Sequence, residues 1–225
     1  MKKKAAKAVL LVIAAAVLIT GLVICAAFIR LGSRTGALHD GYTQITRDER
    51  YKSPVSVKGI DIVEQQVSCG YAVIEMFSQY SGSKVTEQQL YDEYGKVVTS
   101  TGANFCKEMN KRFPAYDTQM LSYLTDSELL GRVYDSLASG VPVPFEWAAK
   151  KDGEWTLHYS LVTGMDISAD KVTVANPYGY YEDISLEEFL DRTSFEAYDN
   201  IPLFLKMGFA FGIFEKNTVF LPTKL

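Results

Sequence analysis

Apolar, uncharged positions run unbroken over residues 8–29, and no later part of the chain repeats that pattern. As a helix rising about 1.5 Å per residue, a run of this length spans a bilayer core. Residues 31–57 break it. Leu31-Gly32-Ser33-Arg34-Thr35-Gly36 and Arg47-Asp48-Glu49-Arg50-Tyr51-Lys52-Ser53-Pro54 are polar and turn-rich, and they read as a flexible spacer. A lead-in strand is expected near residues 55–62. A helical period then sets in. Ser68 is an N-cap for residues 69–80, where Ala72, Val73, Met76, Phe77 and Tyr80 form one stripe, and Gly82 stops the helix. Thr86 caps the next helix, with Gln89 three residues on and Leu90 and Tyr94 inward. A third helix spans 103–112, ending before Pro114. A fourth spans 128–138, capped by Thr125 or Asp126 and closed by Gly140.

After that the period shortens to two. Residues 141–147 are apolar and extended, and Pro142 and Pro144 point to a sheet edge or a strand start. Asp152-Gly153 reads as a turn into a strand over 155–165, and a turn over 168–170 leads to a strand over 171–175. A short capped helix fits 185–190. Residues 207–214 read as a last strand. Helices first and an antiparallel sheet second make the chain α+β.

The 225 residues are 48% hydrophobic and 22% charged, enough for one ordinary domain plus a tail. Charge divides them. Residues 1–34 hold six Lys/Arg and no acid, which leaves the other 191 residues a net charge of −10. An acidic domain argues against binding nucleic acid, which requires basic charge to displace counterions. Lys2, Lys3, Lys4 and Lys7 precede the apolar run, so the positive-inside rule puts the N-terminus in the cytoplasm and the acidic domain outside. The expected organisation is a basic tip and transmembrane anchor over 1–30, a spacer over 31–57 and a domain over 58–225. The competing readings are a cleaved signal peptide, for which the run is long and Ala26-Ala27 a poor cleavage site, and lipidation at Cys25. Three Cys and two His exclude a disulfide-dense scaffold and a His-rich metal protein, and nothing implies a cofactor. Oligomeric state is open.

Three segments could carry chemistry. In Glu64-Gln65-Gln66-Val67-Ser68-Cys69-Gly70, a Cys opens a helix, where free N–H groups and the dipole favour thiolate. Gly70 would let a substrate backbone approach. An upstream Gln could donate to an oxyanion together with the Cys69 N–H. His158 lies in a strand and is the one credible partner for Cys69, since His39 falls in the spacer. Asn176 ends the next strand, where it could orient the imidazole. The bland readings stay open: Cys69 paired with Cys106, a core His158, an Asn176-Pro177 turn. Glu146 reads as a solvated strand residue. Tyr178, Tyr180 and Tyr181 form either a substrate rim or a plain loop.

The ordered set resembles the peptidase C39-like proteins, a papain-like cysteine peptidase group. The resemblance rests on Gln…Cys69-Gly70-x-Ala72, Tyr80-Ser81-Gly82, Val141-Pro142-Val143-Pro144, His158-Tyr159-x-Leu161-Val162-x-Gly164 and Asn176-Pro177-Tyr178-Gly179. It implies a papain-like fold, a helical lobe followed by an antiparallel sheet lobe. It also implies hydrolysis of a peptide or amide bond in a peptide substrate. By position Cys69 would be nucleophile, His158 base and acid, and Asn176 orienter, where the family usually has Asp. Gln65 is favoured over Gln66 as oxyanion donor, in a loop shorter than the family's. The alternative is a binding module that kept the cleft without the activity.

Overall fold

The computed structural model describes residues 2–225. Helix α1 (Lys2–Thr35) is continuous. Within Leu10–Thr35, the most apolar 18 residues have a mean hydropathy of 2.9 and are unburied. The helix therefore runs on through Leu31–Arg34, expected as spacer. The rest of that expected spacer is ordered against the domain. Leu38, Ile45 and Tyr51 are buried, the last two in or beside α2 (Thr43–Arg47) and a short turn of helix at Glu49–Tyr51. The cause is the N-terminus of α6 (Asp126–Ala138), whose free N–H groups need acceptors. Asp126 N–H donates to Leu38 O at 2.8 Å, and Ser127 N–H to the Asp40 carboxylate at 3.0 Å. His39 lies between Asp126 and Glu196, at 3.1 and 3.0 Å.

The helical part holds α3 (Cys69–Ser81), α4 (Glu87–Tyr94) and α5 (Gly102–Arg112). The stripe read from the sequence is their core. Val73, Met76 and Phe77 are fully buried with Leu90, Phe105 and Met109. Phe77 packs edge-on against Tyr80, Phe113 and Tyr116, and full burial of such a ring stabilises by about 2–3 kcal/mol. The sheet has the order β2-β7-β3-β4-β5-β6, all antiparallel: β2 (Tyr116–Leu121), β3 (Val143–Lys151), β4 (Glu154–Asp166), β5 (Lys171–Asn176), β6 (Tyr180–Ile184) and β7 (Thr218–Lys224). A short β1 (Val55–Ser56) pairs with the far end of β4. One sheet face meets α3 and α5 through Tyr159, Leu161, Ala175 and Phe220. The other meets α6 and α7 (Leu186–Thr193) through Phe145, Trp147, Val162 and Phe189. The chain is thus α+β, helical first and sheet second, as its pattern implies.

Of the two readings of Pro142 and Pro144, the strand start holds: β3 is central, and the prolines lie at its beginning, ahead of the β7 pairing that begins at Phe145↔Val219. Two expectations are corrected. Residues 207–214 are not a strand. They fall in helix α8 (Leu203–Ala210) and the turn after it, and the last strand is β7. Leu205 and Phe209, four apart, enter one patch with Ala148 and Phe195, a helical spacing that the alternating phenylalanines concealed. Glu146 is not solvated but 1% exposed.

Candidate active site

Cys69 is the first residue of α3, and the chain before it is tightly held. Ser68 is extended, and its hydroxyl accepts the Tyr71 N–H at 3.2 Å as N-cap. The buried Glu87 carboxylate accepts three consecutive N–H groups, those of Gln66, Val67 and Ser68, at 2.8–2.9 Å. Gly70 has a structural reason rather than the expected one. A Cβ there would lie 2.5 Å from the Thr99 hydroxyl, so glycine lets α3 pack on Thr99 and leaves nothing open for a substrate. Cys69 and Cys106 are both free thiols, and Cys106 donates to Thr118 O, so the disulfide alternative is not formed. Burial dominates at Cys69 and pushes its thiol up to about 11; the backbone N–H groups of Tyr159 and Gly70 pull the other way. The helix start therefore does not deliver the expected resting thiolate.

The Tyr159 N–H puts Cys69 beside the residue after His158. His158 is 1% exposed, and its Nε2 lies 3.0 Å from Asn176 Oδ1. The neighbours of Asn176 settle its orientation. Its Nδ2 donates to Glu182 at 2.6 Å, and its Oδ1 accepts the Tyr178 N–H at 3.0 Å. Oδ1 is then an acceptor toward the ring, so the proton sits on Nε2 and Nδ1 keeps a free lone pair. Behind Glu182 stands Arg192, 3.3 Å away, which also bonds Ala148 O and lies 3.4 Å over the Trp147 ring. Tyr178 stacks on His158 at 4.1 Å between centroids and 25° between planes. Burial lowers His158 to about 3; the Asn176 hydrogen bond opposes this, and the Arg192 and Lys151 charges add to it.

The Gln65 N–H donates to Pro177 O at 2.8 Å, tying the loop before Cys69 to the loop after Asn176. Its Oε1 is buried without a hydrogen-bond partner, and among the described residues its Nε2 has none either. Gln66 is exposed, and its amide turns back to Glu64 O. Glu146 faces Tyr159 across the β3–β4 pair, on the α3 side, and burial raises its carboxyl to about 7. Both its oxygens lack partners: the Tyr159 hydroxyl is close enough to moderate the rise but not in hydrogen-bond geometry. Glu87, Glu182 and Arg192 were not read from the sequence as site residues. Of the three tyrosines, only Tyr178 touches the His158 ring; Tyr181 bonds Ile60 O and Tyr180 is exposed. Among the described residues no group of three His, Cys, Asp or Glu is placed to hold a metal.

Residues 57–201 match the model of the Peptidase_C39 like family. Among solved structures, the chain is similar to a double glycine motif protease from an AMS/PCAT transporter in complex with the leader peptide. The two share 14% identity over 76% of this chain and 98% of the other, with a TM-score of 0.49. No curated protein matches.

Proposed function

The chain belongs to the Peptidase_C39 like family, and from that premise we propose that it is a membrane-anchored cysteine peptidase whose domain faces away from the cytoplasm. Cys69 is the nucleophile, His158 the base and acid, Asn176 the orienter and Gln65 the oxyanion donor. The observation that carries this reading is the His158–Asn176 bond, which leaves Nδ1 as the one ring nitrogen free to take a proton. Nδ1 removes the Cys69 proton as Sγ bonds to the carbonyl carbon of a peptide. The oxyanion receives the Cys69 N–H and Gln65 Nε2. The proton passes to the leaving amine, and a thioester remains. Water, deprotonated by Nδ1, then releases the carboxylate and restores the thiol. Because both groups rest neutral, proton transfer accompanies attack rather than preceding it. The four lysines that open α1 and the unburied apolar stretch that follows them support the anchor and its direction.

The test is a peptide library incubated with the full chain in lipid nanodiscs and read by mass spectrometry. Cleavage is expected, absent in Cys69→Ala and slowed about 10²–10⁴-fold in His158→Ala. Gln65→Ala should lower kcat about 10²–10³-fold, and Gln66→Ala should not. Cleavage that survives Cys69→Ala overturns the reading. One observation favours the alternative of an inactive binding module: Tyr178 covers a His158 that is already neutral and buried. Peptide capture without cleavage, equal in the parent and Cys69→Ala, would establish it.

A further inference from the structure

Residues 201–214 carry a single charge, Lys206, over a stretch otherwise built of Ile, Pro, Leu, Phe, Met, Gly and Ala. Helix α8 buries one face of this stretch, Leu205, Gly208 and Phe209, against the domain. Its other face is equally apolar but uncovered. Leu203 and Phe204 are 72% and 69% exposed, and Phe211 and Ile213 in the following turn are 47% and 54% exposed. A single exposed apolar side chain is ordinary in a water-soluble protein. A helix apolar on both faces, with one of them bare, is not.

The position of α8 indicates what covers that face. It packs against α1, and Leu31 of α1 shares its apolar cluster. Along the later half of α1, Ile24, Ala27, Leu31 and Thr35 are the partly covered positions, three or four residues apart and so on one face. Ile24 and Ala27 precede Arg30 and belong to the apolar run itself. The bare face is therefore continuous with the part of α1 that lipid would surround. Cations outnumber acids at its border: Arg30 and Arg34 on α1, with Glu215 beside them, Arg34 lying 4.7 Å over the Tyr123 ring, and the exposed Lys206. Apolar side chains bordered by Arg, Lys and Tyr fit the boundary between acyl chains and phosphates.

We propose that α8 and the turn after it dock the domain onto the phospholipid leaflet from which α1 emerges. Leu203, Phe204, Phe211 and Ile213 enter the acyl boundary, and Arg30, Arg34 and Lys206 meet lipid phosphates. This rests on the reading of α1 as a membrane anchor, and the test separates the two.

The full chain is reconstituted in nanodiscs of phosphatidylcholine and phosphatidylglycerol containing a phospholipid with a diazirine on its acyl chain. After photolysis, labelled positions are mapped by peptide mass spectrometry. The expected result is label on α1 and on residues 203–213, at least about tenfold above that on Tyr91, Val97 and Tyr180, which are also exposed but belong to neither α1 nor α8. Phe204→Ser with Ile213→Ser, both at exposed positions, should reduce label on residues 203–213 several-fold and leave α1 unchanged. Label on α1 alone overturns the docking and keeps the anchor. Label on neither overturns both. Label on α1 alone, together with links between copies through residues 203–213 in a parallel sample carrying photoleucine in the chain instead of the lipid probe, would assign the face to a second copy of the chain and likewise overturn the proposal.

Discussion

At the scale of single residues, the site is governed by burial. Cys69 is raised to about 11 and His158 lowered to about 3 for the same reason, the cost of charge away from water. A thiol raised this far gains thiolate only as pH climbs toward its pKa. Alkylation of Cys69 by iodoacetamide should thus accelerate steadily from pH 7 to pH 10, measured by mass spectrometry. A plateau already reached below about pH 7 would mean a standing thiolate–imidazolium pair and contradict this account. Glu146 offers a second pH signature. Its carboxyl is held at about 7 in the folded chain, above the ordinary 4.5. Such an acid ionises more readily unfolded, so it withdraws stability as pH rises from the lower value to the higher. The loss is about 3 kcal/mol, complete above pH 7 and absent below pH 4.5. Glu146→Gln should raise Tm at pH 8 more than at pH 5; an equal change at both would show that Glu146 is already ionised without cost.

At the scale of elements, positions are set by side chains reaching across the fold. Glu87, in the first turn of α4, holds the three N–H groups that precede Cys69. Replacing it with Ala leaves three donors without an acceptor, and hydrogen bonds to a charged group contribute about 1.5–3 kcal/mol each. Glu87→Ala should lower the unfolding free energy by several kcal/mol in denaturant titration, and a change within error would show that water replaces the carboxylate. The helices were legible because their signals are local. Ser68, Thr86, Thr125 and Ser185 each cap as their neighbours suggest, with full capping boxes at Thr86–Gln89 and Thr125–Glu128. Strands β2 and β7 were not legible, since their partners are distant: Tyr116 pairs with Lys224. Strand β6 pairs locally, Tyr180 opposite Asn176, but it buries only Ile184 and so carries no apolar alternation. The site divides the same way. Cys69, His158, Asn176 and Gln65 stand out by residue type and order, and the structure brings His158 onto Asn176 and Gln65 onto Pro177. Glu87 looks like any acid favoured at a helix start, and Arg192 like any base favoured at a helix end. Only their long-range partners reveal them as supports of the site.

At the scale of the whole molecule, the apolar helix and the domain are joined closely. Alkaline carbonate should leave the full chain in the membrane pellet at its full intact mass. Release into the supernatant, or a mass short of the first thirty or so residues, would replace the anchor with a cleaved signal. The closeness of the join has a further effect. The last turn of α1 reaches Thr35, and Leu38 is already buried in the domain. At about 3.5 Å per residue at most, the two residues between them, Gly36 and Ala37, allow almost no leash. An anchored domain built this way works at a fixed height and cannot sweep the volume around it. The domain itself would search in two dimensions only: it would reach substrates held in the same membrane at one height, and substrates in the surrounding fluid would have to diffuse to it.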